Sequence, residues 1–290
     1  MAKRSCLCWL GLIVAGLLVA GCGGQPPAAP AASQQAQILM ASTIGPIDAG
    51  IVSVLEAAFE KKTGIIVRHV GAGTGQTLKM AEQGQFDLVL VHAKALEEKF
   101  VADGYGVKRY DLMYNDFVIM GPAADPAKIK GEKSAVAALK KIAAAQAPFI
   151  SRGDRSGTHI KELEVWKAAG LTPAGPWYKI YEKGSQGNGP TLRYTDDQQA
   201  YTLMDRATYI TMKKDLKLQI LVENDDILLN YITLIPVSPG KFPGIKNAEA
   251  MKFIEWATSE EGQRIIAAFG KDRYGEPLFF ANSPAGKNLK

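Results

Sequence analysis

The residues with the clearest chemical meaning lie in one polar stretch, Ser151–Glu162, which combines arginines, glycines and hydroxyl side chains. The apolar run Pro148–Ile150 before it predicts a strand, and the residues from Ile160 onward follow a helical pattern. A loop that leads from a strand into a helix N-terminus presents unpaired backbone N–H groups and a partial positive charge. Arg152 can add a forked donor that is always charged. The stretch therefore predicts an anion site, and the alternative is a capped surface helix with a solvated arginine.

Two turns with the same chemistry occur earlier in the chain. Ser42 and Thr43 follow one apolar run, and Thr74 and Gly75 lie in a glycine-rich turn after the next one. The second turn lacks the Gly-Lys-Ser/Thr of a phosphate-binding P-loop and the glycine spacing of the dinucleotide fingerprint. Because ligands of open α/β sheets bind beyond the carboxyl ends of the strands, we expect the three turns to converge on one ligand.

The elements that must position these turns alternate between strand and helix, and the strands are continuously apolar. This pattern is typical of an α/β fold whose parallel sheet is covered on both faces. Two longer strands, near Asp116–Gly121 and Asn230–Val237, bracket a middle region with strands and helices of its own. We expect a two-strand hinge between two lobes: lobe 1 from residues 37–120 and 230–290, and lobe 2 from residues 121–229.

The N-terminus has the pattern of a secretion signal. Two basic residues precede the apolar run Leu10–Ala20, which is too short to span a membrane as a stable helix, so residues 1–21 predict a signal peptide. The sequence Leu18–Cys22 resembles the bacterial lipobox, which implies cleavage before Cys22 and attachment of lipid to it. Residues 22–36 contain no large apolar side chain and predict a flexible tether. We therefore expect the domain in the periplasm or on an extracytoplasmic face, anchored to a membrane.

Cysteine usage and charge exclude several classes of function. Cys6 and Cys8 lie in the predicted signal and Cys22 would carry lipid, so thiolate metal sites and cysteine nucleophiles are excluded. The formal net charge is +5, and it becomes +3 without Lys3 and Arg4. This mild excess gives no indication of nucleic-acid binding.

The histidines and carboxylates do not form a catalytic or metal-binding pattern. His92 and His159 lie on different predicted elements with no Cys or Glu at ligand spacing, and no Gly-x-Ser-x-Gly motif is present. We therefore predict no metal, no cofactor, no catalytic residue and no enzymatic activity. Asp154 is interpreted as a helix N-cap and Asp205 as a strand-end residue, and for both the alternative is an acceptor for a protonated anion.

Taken together, several motifs resemble the periplasmic tungstate-binding proteins of ABC importers, in the type II periplasmic binding protein superfamily. The resemblance extends over roughly Ile38–Asn282. The motifs that carry it are Gly73–Leu78, Val91–Ala93, Met113–Phe117, Gly121–Pro122, Asp125–Ala127, Ser151–Thr158, Lys161–Glu162 and Tyr201–Thr208. The resemblance implies an α/β fold of two lobes, with mixed, largely parallel sheets and a two-strand hinge, that closes on a tetrahedral dianion.

The resemblance also implies roles for individual residues and partners. Arg152 would be the main charged ligand, and hydroxyls and amides of the other turns would add hydrogen bonds. The implied anion-binding set is Arg152, Ser156, Gly157, Thr158, Ser42, Thr43, Thr74 and Gly75. The ligand would be tungstate or molybdate, whose oxygens all accept hydrogen bonds, and the partners would be a membrane permease and its ATPase.

The chain departs from this family in its first binding turn and in a later glycine loop. Ser42-Thr43-Ile44-Gly45 stands where the family has Thr-Thr-Thr-Ser, and Gly187-Asn188-Gly189 stands where Gly-Met-Gly is usual. Arg155 occupies a position where an acidic residue is common. Two alternatives therefore stay open: a binding protein for phosphate or another oxyanion, and an extracytoplasmic anion sensor.

Overall fold

The computed structural model describes residues 35–289. The predicted signal peptide, the lipid attachment at Cys22 and nearly all of the tether lie outside the described residues. Within residues 35–289, no helix is both long enough and apolar enough to cross a membrane.

The strands alternate with helices from the start of the described chain. The strands are β1 (Gln37–Thr43), β2 (Ile66–Ala72), β3 (Leu88–Val91), β4 (Tyr110–Gly121), β5 (Phe149–Ser151), β6 (Tyr178–Ile180), β7 (Thr202–Asp205), β8 (Gln219–Val222), β9 (Leu229–Pro236) and β10 (Phe280–Ala281). The α-helices are α1 (Ile44–Ala49), α2 (Ile51–Thr63), α3 (Thr74–Ala81), α4 (Lys94–Ala102), α5 (Ala135–Ala145), α6 (Gly157–Ala168), α7 (Asn188–Gln198), α8 (Arg206–Met212), α9 (Asn247–Thr258), α10 (Glu260–Ala268) and α11 (Lys271–Tyr274).

The main sheet is mixed. Its strand order is β10-β4-β9-β3-β1-β2, and β7 and β8 also pair with β4. The pairs β1–β2 and β1–β3 are parallel, whereas the pairs of β4 with β7, β8, β9 and β10 are antiparallel, as is β3–β9. A second, two-stranded sheet consists of the parallel pair β5–β6. The predicted α/β class is thereby confirmed.

Strand β4 connects the two halves of the apolar core. Its first part, Tyr110–Asp116, pairs with β9, and its second part, Phe117–Gly121, pairs with β7 and β8. The buried apolar residues divide at the same place: Met113 belongs to the cluster around β1 and α2, and Ile119 belongs to the cluster around α5 and α6. β4 therefore passes from one half to the other, and the hinge between two lobes stays a prediction.

Two helices follow β1, where the sequence predicts only one. The sequence indicated one helix from about Ala49, but Gly50 separates α1 from α2 and adopts φ 88°. A glycine tolerates this left-handed conformation, so it can end one helix and begin the next. The spacing of Ile51, Leu55 and Phe59 at i, i+4 and i+8 predicts one buried face for α2, and all three side chains are buried.

Candidate functional site

A cavity of about 680 Å³ lies where the predicted turns meet. Six of the eight predicted anion-binding residues line it: Thr43, Thr74, Arg152, Ser156, Gly157 and Thr158. The other two do not. Ser42 is fully buried and its hydroxyl donates to the carbonyl of Thr43, and Gly75 is exposed on α3. Residues of all three turns therefore line one cavity, and their binding of one ligand stays a prediction.

Arg152 lies at the end of β5 with its guanidinium held by three neighbours. Its Nε donates to the carbonyl of Gly184 at 3.2 Å, Nη1 donates to Oδ1 of Asn188, and Nη2 donates to Oδ2 of Asp154. The side chain is only 11% exposed, so the guanidinium is well fixed. A guanidinium has five N–H groups, and these bonds use three of them, so two N–H groups can serve a ligand in the cavity.

The loop after Arg152 depends on two residues with positive φ. Gly153 adopts φ 67°, and a Cβ at this position would lie 2.2 Å from Cγ2 of Ile180. Arg155 adopts φ 59°. The loop can therefore turn tightly and bring the N-terminus of α6 to the cavity, but only with glycine at position 153.

Helix α6 starts at the cavity, which its first two residues, Gly157 and Thr158, line. The N-cap is Ser156, whose Oγ accepts from the N–H of His159 at 3.4 Å. The interpretation of Asp154 as the N-cap was wrong, because this carboxylate pairs with Arg152 and accepts from the N–H of Ser156 at 3.0 Å. The serine lies directly before the helix, where its side chain can reach the first turn, whereas the aspartate is two residues farther away.

Two threonines line the cavity from an earlier part of the chain. Thr43 is the last residue of β1, and Thr74 is the first residue of α3. Both hydroxyls are buried, and neither has a hydrogen-bond partner among the described residues. Because a buried polar atom without a partner is costly, these two hydroxyls indicate that a ligand with acceptor atoms completes the site.

Asn188 and Asp205 also line the cavity, and the sequence analysis did not assign Asn188 to the site. Oδ1 of Asn188 accepts from Arg152 and from Oγ1 of Thr158 at 3.0 Å, and Nδ2 donates to Oδ2 of Asp205. The interpretation of Asp205 as a strand-end residue was correct, since it ends β7 and caps α8 through the N–H of Thr208. The only sequence signal for Asn188 was its place in a glycine-flanked loop.

The charges around the cavity are mixed. Asp48 lines it from α1, and burial raises the pKa of this carboxyl, while the positive charge of Arg152 lowers it in part. Burial also raises the pKa of Asp205, which hydrogen bonds from Thr208 and Asn188 partly offset. A bound anion therefore meets carboxylates as well as donors, and its stabilisation depends on directed N–H and O–H groups rather than on net charge.

His92 lines the cavity at the end of β3, a position that the sequence analysis considered only for metal or catalysis. Burial lowers its pKa to about 4, so the imidazole is neutral at physiological pH. His159 does not line the cavity, and its Nδ1 accepts from the N–H of Arg155 at 2.9 Å. Residues 35–289 contain no group of three or more His, Cys, Asp or Glu residues that could hold a metal ion.

The chain is similar to several known proteins. A family model described as PBP superfamily domain matches residues 27–261. The chain is 46% identical over 272 residues to the tungstate-binding protein TupA of Peptoclostridium acidaminophilum, an alignment that covers 92% of this chain and 94% of that protein.

Two solved structures are also similar. The tungstate-binding protein TupA from Desulfovibrio alaskensis G20 superposes with a TM-score of 0.78 at 42% identity, covering 86% of this chain and 99% of that one. The tungstate ABC transporter structure from Geobacter sulfurreducens superposes with a TM-score of 0.70 at 47% identity, covering 80% of this chain and 98% of that one. The fold, the cavity and these similarities together show that the chain belongs to the PBP superfamily, in the same family as the TupA proteins.

Proposed function

We propose that this protein is the oxyanion-binding subunit of an ABC importer and that its ligand is tungstate, with molybdate as a related ligand of the same shape. The observation that carries this proposal is the pair of buried, unpartnered hydroxyls of Thr43 and Thr74 in the same cavity as Arg152. The names of the similar proteins from Peptoclostridium acidaminophilum and Desulfovibrio alaskensis support tungstate as the ligand.

The donor set suits a tetrahedral anion without protons. Every oxygen of such an anion accepts hydrogen bonds, and the cavity offers the two remaining N–H groups of Arg152 and the hydroxyls of Thr43 and Thr74. The N–H groups of Gly157 and Thr158 add donors at the positive end of the α6 dipole. Charge-assisted bonds from an arginine are stronger than those between neutral groups, so Arg152 contributes most.

The proposed binding motion is closure of two lobes around a hinge in β4 and β9. Lobe 1 is formed by the chain before and after the middle region, and lobe 2 by the middle region, close to the predicted limits of 37–120, 121–229 and 230–290. The pairing of Phe117–Gly121 with β7 and β8 favours a first crossing between Asp116 and Phe117. A hydrogen bond of 2.7 Å from Nδ2 of Asn230 to Oδ1 of Asn115 joins the two strands there. Such closure would sequester the anion from water.

The remaining parts of the proposal concern location and partners. We infer an extracytoplasmic position, with a lipid at Cys22 that holds the protein at a membrane. A permease and its ATPase would accept the anion, since transport needs a membrane channel and an energy source that a binding subunit does not provide. The protein itself would have no enzymatic activity and no nucleic-acid ligand.

The test is a calorimetric titration of the purified protein with tungstate, with molybdate and phosphate alongside. We expect tight binding of tungstate by the unmodified protein and none by the Arg152→Ala variant, which should still unfold in one cooperative transition without ligand. Arg193→Ala is the matched control, because Arg193 is exposed on α7 and does not line the cavity. Absence of tungstate binding in the unmodified protein, or full binding by Arg152→Ala, would contradict the proposal.

A further inference from the structure

The side-chain amide of Asn188 joins the arginine of the cavity to a buried carboxylate. Oδ1 accepts from Nη1 of Arg152 and from Oγ1 of Thr158 at 3.0 Å, and Nδ2 donates to Oδ2 of Asp205. Asn188 follows Gly187, whose φ of 117° favours glycine, and is the first residue of α7. The amide, the arginine, the threonine and the carboxylate all line the one cavity.

Both ends of this network require the same orientation of the amide. A guanidinium only donates hydrogen bonds, so the amide must present its oxygen to Arg152. Asp205 accepts from the N–H and the hydroxyl of Thr208, at 2.8 and 2.6 Å, and takes the amide NH₂ of Asn188 as a further donor. In the opposite orientation the amide NH₂ would face the N–H groups of Arg152, and the amide oxygen would face the carboxylate of Asp205. Oδ1 of Asn188 therefore stays directed at Arg152 and Thr158.

This orientation changes what Thr158 offers to a ligand. A threonine hydroxyl has one proton and two lone pairs. When the proton is donated to Asn188, only the lone pairs of Thr158 are left for the cavity, so its oxygen meets a ligand as an acceptor. The hydroxyls of Thr43 and Thr74 have no such partner among residues 35–289 and can still donate. The cavity thus combines several donors with one acceptor hydroxyl.

We propose that Asn188 is a positioning residue that shifts the anion preference of the cavity: by holding the Thr158 proton it reduces the advantage of fully deprotonated oxyanions over oxyanions that carry a proton, such as hydrogen phosphate. A protonated oxyanion can donate its O–H to Thr158, whereas a deprotonated oxygen would meet a lone pair there. Asn188 also engages one N–H of Arg152 that a deprotonated anion could otherwise use. This inference rests on the proposed oxyanion-binding function.

The first test compares two anions in two proteins. Dissociation constants of tungstate and of inorganic phosphate are measured by calorimetry at pH 8 for the unmodified protein and for Asn188→Leu, which has a similar volume but no acceptor. We expect the ratio of the phosphate constant to the tungstate constant to rise about tenfold in the variant, the effect of roughly one hydrogen bond. Asn288→Leu, at an exposed position outside the cavity lining, should leave the ratio unchanged.

The outcomes separate this inference from the proposed function. Equal changes in both affinities would show that Asn188 only supports the structure, and would overturn the inference while oxyanion binding stands. Failure of the unmodified protein to bind either anion would overturn the proposed function and the inference with it.

The first part of a second test leaves Asn188 in place and therefore holds even if Asn188→Leu does not fold. Thr158→Val removes the hydroxyl. In the protein that keeps Asn188, we expect this change to weaken phosphate binding about tenfold more than it weakens tungstate binding. In the Asn188→Leu background the hydroxyl of Thr158 can donate to a ligand, so Thr158→Val should weaken tungstate binding more than phosphate binding. The double-mutant cycle measures this reversal directly. A Thr158→Val protein that loses both anions equally would contradict the inference.

Discussion

The imidazole of His92 lies directly against Gly157: a Cβ added to this glycine would lie 2.5 Å from Cε1 and 3.1 Å from Nε2 of the histidine. His92 directly follows β3, and Gly157 is the first residue of α6. The contact therefore joins the two groups of elements that line the cavity, and it needs a residue without a side chain at position 157.

Gly157→Ala tests this contact. We expect the methyl group to hold α6 away from His92 and weaken tungstate binding at least tenfold, with little change in the melting temperature of the ligand-free protein. Titration calorimetry and thermal melting give the two quantities. Gly244→Ala is the matched control, because a Cβ there meets nothing within 4 Å. Unchanged affinity in Gly157→Ala would show that the bound state does not need this close approach.

The buried hydroxyls of Thr43 and Thr74 predict a separation of stability from binding. In Thr43→Val and Thr74→Val we expect tungstate affinity to fall about tenfold or more, because each variant loses a ligand donor. The ligand-free proteins should melt at the same temperature or higher, since each hydroxyl has no partner among the described residues.

Thr77 provides the contrast for these two variants. Its hydroxyl donates to the carbonyls of Ser42 and Ala72, at 3.3 Å each. We therefore expect Thr77→Val to lower the free energy of unfolding by about 1 kcal/mol, measured by denaturant titration. Destabilisation of the same size in Thr43→Val would mean that the Thr43 hydroxyl already has a partner in the ligand-free protein.

Glu162 on α6 predicts a dependence of stability on pH. Burial raises its pKa to about 7, although Tyr178 and Trp166 donate to Oε1 at 2.7 and 3.2 Å and lower it in part. Because the folded protein holds this proton more tightly than the unfolded chain, stability falls as pH rises from about 4.5 to about 7 and then levels off. The contribution lost is about 3 kcal/mol.

Glu162→Gln should remove this part of the pH dependence. The difference in unfolding free energy between pH 5 and pH 8, from denaturant titrations, is expected to shrink in the variant. Glu164→Gln is the control on the same helix, because Glu164 is 55% exposed and its pairing with Lys161 has little effect on stability. An unchanged pH profile in Glu162→Gln would place the pKa of this carboxyl near its ordinary value.

The ion pair of Arg206 with Asp116 lies at the strand crossing. Nε and Nη2 of the guanidinium donate to Oδ1 and Oδ2 of Asp116 at 2.7 and 2.6 Å, and Nη1 pairs with Glu223 at 2.7 Å. Because Asp116 is only 6% exposed, Arg206→Ala leaves a buried carboxylate without its partner and should lower the free energy of unfolding by about 3 kcal/mol. Arg264→Ala, which breaks the exposed pair with Glu260, should cost less than about 1 kcal/mol. Equal effects of the two variants would contradict this assignment.

Local signals in the sequence were sufficient to predict most of the helices and strands. Alternation of apolar runs with amphipathic segments predicted the strands and helices around the cavity, since burial periodicity is a property of neighbouring residues. The same signals failed at Gly50, where one glycine divides a predicted helix into two. They also missed β6, whose residues Tyr178–Ile180 are partly or fully exposed and show no burial pattern; pairing with β5 defines this strand.

The sequence by itself determined the chemical class of the site. A charged arginine, helix N-termini and hydroxyls after apolar strands can bind an anion whatever the details of packing, because donors are a property of residue types. Only the tertiary structure decided which donors are available. Arg152 and Thr158 meet the amide of Asn188 across 36 and 30 residues of chain, and Asp205 orients that amide from 17 residues away. Hydrogen-bond direction depends on partners that are distant in the chain, so no local pattern could reveal that Thr158 faces the cavity as an acceptor.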